Sequence, residues 1–275
     1  MLEEDQFEVL ISTMNRDSLD FIDIMFSKVK TIDFNILIIN QTTPKKSLSS
    51  TNPKIRVVNS LEKGLSKSRN LALTNAKSKI VLISDDDLVY ESNFKTIILE
   101  AYKRNPEAAL ISFESCDTDG KPMRQYPEHS IVHNFRSLTP ISSREISVNL
   151  KMVRDLDIIF DEDFGLGSTF EIGEEQIFSR AILKHKTCLF EKQNIVQHPF
   201  ETSGRNSGSD KLLFARAALF YNQRGEVVSY LKLFHYVYLI LKSGDIGFGA
   251  VFYKLKMGLK GIKKYKAILK SRSNN

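Results

Sequence analysis

The feature that most constrains the fold is an alternation of apolar runs with amphipathic runs over residues 1–113. Five short segments are almost continuously apolar, which is typical of strands covered on both faces. The segments between them carry apolar residues at helical spacing. The predicted strands are 7–12, 34–40, 54–59, 79–84 and 108–113, and the predicted helices are 18–29, 65–76 and 93–105. This order predicts an α/β fold with a mostly parallel central sheet and helices on both faces.

The sequence after residue 113 departs from this alternation. Asp119 and Gly120 form a turn signal, and residues 144–153 alternate like a half-exposed strand. A helix is predicted at about 174–185. It is followed by two predicted short strands, "TCLF" and "NIVQH".

A Gly/Ser-rich loop, 201–210, marks the predicted exit from the core. We therefore predict one domain over 1–208, made of the halves 1–113 and 114–208. A separate helical segment is predicted over 209–275.

The net charge of +6 is concentrated at the end of the chain. Residues 226–275 contain ten basic and only two acidic residues, which leaves the rest of the chain close to neutral. The stretch "FGAVFYKLKMGLKGIKKYKAILK" places lysines among apolar residues at helical spacing, as in a helix lying in a membrane interface. A core-packing helix with a solvated basic face is the competing interpretation. We predict an anionic membrane surface as partner, and no nucleic acid.

Two features indicate the compartment. Cys116 and Cys188 are far apart and belong to no Cys-x-x-Cys or Cys/His cluster, which favours a reducing environment over a disulfide framework or a zinc site. The opening "MLEEDQFEVLIS" is acidic and lacks the pattern of a secretory leader. We expect a cytoplasmic protein, peripheral on the inner face of the cell membrane.

Polar clusters lie at one edge of the predicted sheet. They are "STMNR" (12–16), "NQTT" (40–43), the region of Lys67 to Arg69, and three consecutive aspartates at 85–87. Ligands of open α/β sheets bind beyond the carboxyl ends of the strands, so this edge is the candidate site. Adjacent carboxylates suit a hard divalent cation, Mg²⁺ or Mn²⁺. A helix cap, the simpler explanation, needs only one aspartate.

Four segments together resemble the family-two glycosyltransferases. "STMNRD" is similar to the opening motif of the family, and "GLSKSRNLALTNAKSKIVLISDDDLV" (64–89) is similar to its segment ending in the aspartate motif. "FDEDFGLGSTFEIGEEQIF" (160–178) resembles the version found in bacterial capsule and exopolysaccharide transferases. "VQHPFETSG" (196–204) resembles the histidine segment that follows it there. The motifs occur in the family's order over about residues 7–205.

The resemblance implies a GT-A fold with a nucleotide-sugar-binding half, 1–113, and an acceptor and catalytic half, 114–208. It implies inverting, metal-dependent transfer of a sugar from a nucleoside diphosphate donor, with uridine as the favoured base. The implied acceptor is a glycan, lipid-linked, in capsule, exopolysaccharide or O-antigen synthesis.

The resemblance also implies roles for individual residues. The residues implied in nucleotide-sugar binding are Thr13, Asn15, Arg16, Asn40, Gln41, Lys67, Arg69, Asp85 and Asp86. Asn40 and Gln41 stand where the family usually has an acid that contacts the base. Asp87 or Asp86, together with His198, is implied to bind Mn²⁺ or Mg²⁺, and which aspartate does so stays open. Glu175 is the first choice for the catalytic base, with Glu174 as the alternative.

Two other classes of function compete with this interpretation. A nucleotidyltransferase that makes the activated sugar uses a similar sheet, but it would need a Gly- and Arg-rich loop where "STMNRD" stands. A non-catalytic, membrane-peripheral glycan-binding protein is the second alternative. The presence of both acidic clusters, at 85–87 and 174–175, argues against it.

Overall fold

A computed structural model of the chain describes residues 6–198 and 208–274. The chain divides into two compact units. The first unit comprises Met1–Asp161 and Glu175–Phe200, and the second comprises Glu162–Glu174 and Glu201–Asn275. The domain boundary at residue 208 stays a prediction from the sequence.

The strands of the first unit form one sheet. They are β1 (Phe7–Met14), β2 (Asn35–Gln41), β3 (Ile55–Ser60), β4 (Ile80–Asp85), β5 (Val89–Tyr90), β6 (Ala108–Cys116), β7 (Ile131–Val132), β8 (Ile146–Asn149) and β9 (Thr187–Gln197). The helices are α1 (Asp20–Met25), α2 (Leu65–Asn75), α3 (Phe94–Arg104), α4 (Leu150–Arg154) and α5 (Glu174–Leu183), of which α5 begins one residue before the first unit resumes.

The strand order is β3-β2-β1-β4-β8-β6-β9-β5, and β7 pairs with β9. Four neighbouring strands of the sheet, β3, β2, β1 and β4, are mutually parallel. β8 then runs antiparallel to both β4 and β6, so the sheet as a whole is mixed. The predicted α/β fold with a GT-A arrangement is confirmed.

Both faces of this sheet are covered, which explains why the strands are continuously apolar. On one face Val9 and Ile11 pack with residues of α1 and α3. On the other face Leu10 packs with residues of α2, α4 and α5. Successive side chains of a strand point to opposite faces, so a strand between two helical layers must be apolar at every position.

Several sequence predictions in the less regular parts were wrong. The helix predicted over 18–29 is only Asp20–Met25. The half-exposed strand predicted at 144–153 is instead the fully buried β8 followed by the short helix α4. The two strands predicted from "TCLF" and "NIVQH" are one strand, β9, because the polar residues between them stay in the extended conformation.

The second unit contains two long helical spans, α6 (Asp210–Lys242) and α7 (Val251–Ser273). Ser209 caps α6, its Oγ accepting a hydrogen bond of 3.2 Å from the Leu212 N–H. Gly225 interrupts α6 with φ 72° and ψ −173°, a conformation essentially restricted to glycine. Gly225 therefore ends the first helical part of α6, and a second helix follows at once.

The two spans share an apolar core of their own. It consists of Leu213, Ala217, Leu233, Val237, Ile240, Ile246 and Ile262. Rings of Phe164 and Phe170 pack 4.9 Å apart, and Phe164 also meets Tyr265 of α7 at 5.3 Å. Among the described residues no helix is both long enough and apolar enough to cross a bilayer.

Candidate functional site

The site lies at the carboxyl ends of the parallel strands of the first unit. The register sets Thr13 of β1 beside Asn40 of β2, and Asn40 beside Asn59 of β3. On the other side of β1, Ser12 lies beside Asp85, the last residue of β4. The polar residues therefore form one row across four strands. Asp86 and Asp87 continue directly from the end of this row.

Asp86 is held by one residue near the end of β1 and by one residue just after it. Its Oδ2 accepts hydrogen bonds from Thr13 Oγ1 at 2.5 Å and from Arg16 Nε at 2.8 Å. Thr13 is buried, whereas the Arg16 side chain is 42% exposed. One carboxylate oxygen of Asp86 is therefore already engaged by a hydroxyl and a cation.

Asn40 fixes the backbone that carries Arg16. The Asn40 side chain accepts from the Arg16 N–H at 3.2 Å and donates to the Arg16 carbonyl at 2.9 Å. It also donates to Asn59 Oδ1 at 3.0 Å and is fully buried. Asn15, just before Arg16, has φ 57°, a left-handed conformation that asparagine tolerates better than most residues. The chain thus turns sharply after β1, and Asn40 holds the turn.

Gln41 links the end of β2 to the start of α2. Its Oε1 accepts a hydrogen bond of 2.7 Å from the Gly64 N–H, which lies just before that helix. The contact fixes the start of the helix that carries Arg69.

Arg69 and Asp85 form a partly buried ion pair. Arg69 Nη2 lies 3.0 Å from Asp85 Oδ1, and the arginine side chain is only 2% exposed. The guanidinium also lies over the Phe160 ring, 5.6 Å from its centre. The second carboxylate oxygen of Asp85 accepts a hydrogen bond of 3.3 Å from Ser143 Oγ. Asp85 is therefore charge-compensated by the protein itself.

Asp87 differs from its two neighbours because it lies close to a histidine. Asp87 Oδ2 is 3.4 Å from His198 Nε2, and the aspartate side chain is 58% exposed. The hydrogen bond from His198 lowers the pKa of the Asp87 carboxyl below its usual value, outweighing the opposite effect of burial. The His198 backbone N–H bonds to the Cys116 carbonyl at 2.9 Å, which anchors the end of β9 beside β6. Residues 199–204 of the predicted histidine segment lie outside the described residues.

The Asp87–His198 pair is the part of the site whose chemistry fits a divalent cation. Carboxylate oxygen and imidazole nitrogen are both ligands of Mn²⁺, whereas Mg²⁺ prefers oxygen alone. Over residues 6–198 and 208–274 no group of three or more Asp, Glu, His or Cys side chains is arranged to hold a metal. A cation here would therefore take its remaining ligands from water and from a bound phosphate group.

Lys67 lies on α2, and the two candidate glutamates lie on α5. Lys67 Nζ lies 2.9 Å from Glu62 Oε2, in an ion pair at the protein surface. Glu174 and Glu175 are the first two residues of α5, as predicted from the sequence, and Glu174 is buried while Glu175 is half-buried. The choice between them as catalytic base stays a prediction, as do the roles of the other site residues.

Two residues of the site were missed from the sequence. Ser143 bonds to Asp85 and Asn59 bonds to Asn40. Asn59 lies near the carboxyl end of β3, so the rule that placed Asn40 at the edge could have found it. Ser143 lies in a 3-10 turn, Ser143–Glu145, with no motif around it.

Comparison with known proteins identifies the family of the chain. Residues 8–183 match the model of the family described as Glycosyl transferase family 2. No curated protein sequence matches the chain significantly.

Solved structures of TarS from S. aureus share the fold. TarS 1-349 is 12% identical, with coverage of 97% of this chain and 91% of that chain and a TM-score of 0.55. TarS 1-349 in complex with UDP is 13% identical, with the same coverage and TM-score. TarS 1-349 in complex with UDP-GlcNAc is 12% identical, covers 97% of this chain and 92% of that chain, and has a TM-score of 0.58.

The family match covers well over half of the chain, including the strands that carry the row of polar residues and the helix that begins at Glu174. The chain belongs to glycosyl transferase family 2.

Proposed function

We propose that this glycosyltransferase moves a sugar, with inversion, from a nucleoside diphosphate donor to a lipid-linked glycan. The observation that carries the proposal is that the three consecutive aspartates have different partners. Asp85 and Asp86 are each paired with an arginine, while Asp87 is exposed and close to His198. In the proposal, Arg16 supplies an exposed cationic group, and Asp87 with His198 supplies a metal position, for one diphosphate.

The donor half of the proposal concerns Arg16, Arg69 and the residues that hold them. An arginine guanidinium suits phosphate oxygens because its N–H groups donate in a fixed fork. Arg16, the more exposed of the two, is proposed to contact the diphosphate, and Asp85 the ribose. Asn40 is buried and bonded to the Arg16 backbone, so we assign it to positioning rather than to the base. Uridine is the proposed base, supported by the fold shared with TarS, which was solved with UDP and with UDP-GlcNAc.

Asp87 and His198 would hold the divalent cation, with Mn²⁺ favoured by the mixed oxygen and nitrogen donors. Asp86 is the weaker candidate because one of its oxygens already accepts from Thr13 and Arg16. A metal bound here would offset the negative charge that develops on the departing nucleoside diphosphate. The hydrogen bond from His198, which lowers the pKa of the Asp87 carboxyl, favours the charged form of this carboxylate.

Glu175 is proposed as the general base, with Glu174 as the alternative. The base takes the proton of the acceptor hydroxyl as the oxygen attacks the anomeric carbon, which inverts the configuration at that carbon. Both glutamates open α5, at the helix end that carries a partial positive charge. Glu175 is half-buried whereas Glu174 is buried, which makes Glu175 the first choice.

The acceptor proposal places the enzyme at a membrane. A lipid-linked glycan of capsule, exopolysaccharide or O-antigen synthesis would be presented at the cytoplasmic face of the cell membrane. The basic C-terminal segment is proposed to bind that anionic surface. Protein at the surface would meet a lipid-linked acceptor far more often than protein free in solution.

The test is turnover with a panel of nucleotide sugars, with and without Mn²⁺ or Mg²⁺, scored by released nucleoside diphosphate. We expect release that requires metal, is lost in Glu175→Gln and is strongly reduced in Asp87→Asn. Glu107→Gln and Asp119→Asn are matched controls, since both residues are exposed and lie outside the site.

Other outcomes would contradict the proposal. Pyrophosphate as a substrate or product would indicate a nucleotidyltransferase. Glycan binding without turnover on any donor would indicate a non-catalytic protein. Full activity of both Glu175→Gln and Asp87→Asn would show that the site is wrongly assigned.

A further inference from the structure

The second half of α6 is apolar on two sides. One side packs into the core of the second unit, where Leu233 and Val237 are buried. The other side carries a row of exposed residues. They are Val227 (73% exposed), Leu231 (64%), Phe234 (55%) and Tyr238 (57%), which we call the apolar stripe. Their spacing of four, three and four residues places them on one face of a helix.

A second exposed apolar group lies where α7 begins. Phe248 is 84% exposed and Phe252, one helical turn later, is 81% exposed. We call them the turn phenylalanines. Single exposed apolar residues are common, but a stripe of large side chains together with two nearly fully exposed phenylalanines marks an interaction surface.

The charges on α6 and α7 indicate which partner covers the apolar stripe and the turn phenylalanines. Several lysines of α6 and α7 are exposed: Lys232, Lys242, Lys256, Lys260, Lys263, Lys264 and Lys270. From residue 226 onward the acidic residues are only Glu226 and Asp245. Glu226 pairs with Lys266 at 2.6 Å, so it does not offset the exposed lysines. Apolar and aromatic side chains interleaved with uncompensated lysines match an anionic lipid interface.

We infer that the apolar stripe and the turn phenylalanines insert into the headgroup region of an anionic membrane while the lysines contact lipid phosphates. The inference rests on the membrane association of the proposed function, and it names the residues that make the contact. A second copy of the chain is the competing occupant. It is disfavoured because two copies would bring the same lysine-rich surfaces together.

The experiment uses the full chain and sedimentation with lipid vesicles. One vesicle set is phosphatidylcholine, and the other contains about a third phosphatidylglycerol. The variants are Leu231→Ser with Phe234→Ser, and separately Phe248→Ser with Phe252→Ser. Ile24→Ser is the control, because Ile24 is a 64% exposed apolar residue of α1, outside the second unit.

We expect the wild type to bind the anionic vesicles far better than the neutral ones. Each double variant should bind about ten-fold more weakly or worse, because it loses two apolar anchors. Raising NaCl from ~0.1 to ~0.5 M should weaken binding of the wild type, since salt screens the lysines. Ile24→Ser should bind like the wild type. Far-UV circular dichroism and diphosphate release without vesicles check that each variant is folded.

Three results would overturn the inference. Equal binding of the wild type and both double variants would show that these side chains do not face lipid. Self-association in analytical ultracentrifugation that both double variants abolish, with no vesicle binding, would assign the surface to a second copy. Wild-type turnover without vesicle binding refutes only the membrane inference. Vesicle binding without turnover refutes only the proposed sugar transfer.

Discussion

Replacing Arg69 by methionine probes the most buried charge of the site. Arg69 is only 2% exposed, and it pairs with Asp85 at 3.0 Å while lying over Phe160. Methionine keeps much of the aliphatic length but removes the cation. The change therefore leaves the Asp85 carboxylate without its main charge partner.

The structure bounds the loss of stability. Removing one partner of a fully buried ion pair costs about 3–5 kcal/mol in free energy of unfolding. Asp85 is less buried than that, because its side chain is 34% exposed, and it keeps the hydrogen bond from Ser143. Water can therefore solvate part of the remaining charge, and we expect a loss of about 2–3 kcal/mol for Arg69→Met.

Urea unfolding followed by circular dichroism measures this loss, and a double-mutant cycle assigns it. Because Asp85→Asn removes the carboxylate charge, it should cost less in the Arg69→Met background than in the wild type, by about 1–2 kcal/mol. The exposed Arg136→Met is the control and should change stability by less than about 0.5 kcal/mol. An Arg69→Met effect as small as this control, or equal effects of Asp85→Asn in both backgrounds, would refute the reasoning.

Three further predictions concern packing, pH and the donor. Gly261→Ala should lower the unfolding free energy by about 1–3 kcal/mol in the same urea assay, because a Cβ would overlap the Phe214 backbone carbonyl. Gly249→Ala is the control and should be nearly neutral, because its Cβ would meet open space. Burial lowers the pKa of His133 from 6.5 to about 4, so the unfolded state binds the extra proton and stability falls as pH decreases from 6.5 towards 4. Unfolding at pH 7 and pH 5 should differ by about 2 kcal/mol more in the wild type than in His133→Gln, and equal differences would contradict this. Arg16→Met should lower stability by less than about 1 kcal/mol, because its ion pair with Asp86 is partly exposed. It should nevertheless weaken nucleoside diphosphate binding about ten-fold in calorimetry, and unchanged binding would show that Arg16 is not part of the donor site.

The parallel strands of the fold were predictable because the pattern that identifies them lies within each strand's own sequence. Strands such as β1, β2 and β4 are buried on both faces, so continuous apolar runs identify them directly. The short helix α4 was not predictable in this way. Its residues follow β8 without a break, and the apolar positions of the joined segment fit a strand as well as a helix.

The site was predictable as a location but not as a set of contacts. The rule that ligands bind beyond the strand ends brought Thr13, Asn40 and Asp85 to one edge, and the register places them there. No local pattern shows which arginine pairs with which aspartate, because those pairs depend on how α2 and the turn after β1 are packed. Ser143 reaches Asp85 from 58 residues away, and nothing in its neighbourhood signals the contact.

The measurement that tests the central claim most directly is calorimetric binding of nucleoside diphosphates with and without Mn²⁺. The wild type, Asp87→Asn and Asp119→Asn would each be titrated with UDP, GDP and ADP. The account predicts that Mn²⁺ tightens binding of the preferred diphosphate, UDP, by at least about ten-fold in the wild type and in Asp119→Asn, but not in Asp87→Asn. Binding that is independent of Mn²⁺ in the wild type, or equally enhanced by Mn²⁺ in Asp87→Asn, would contradict it.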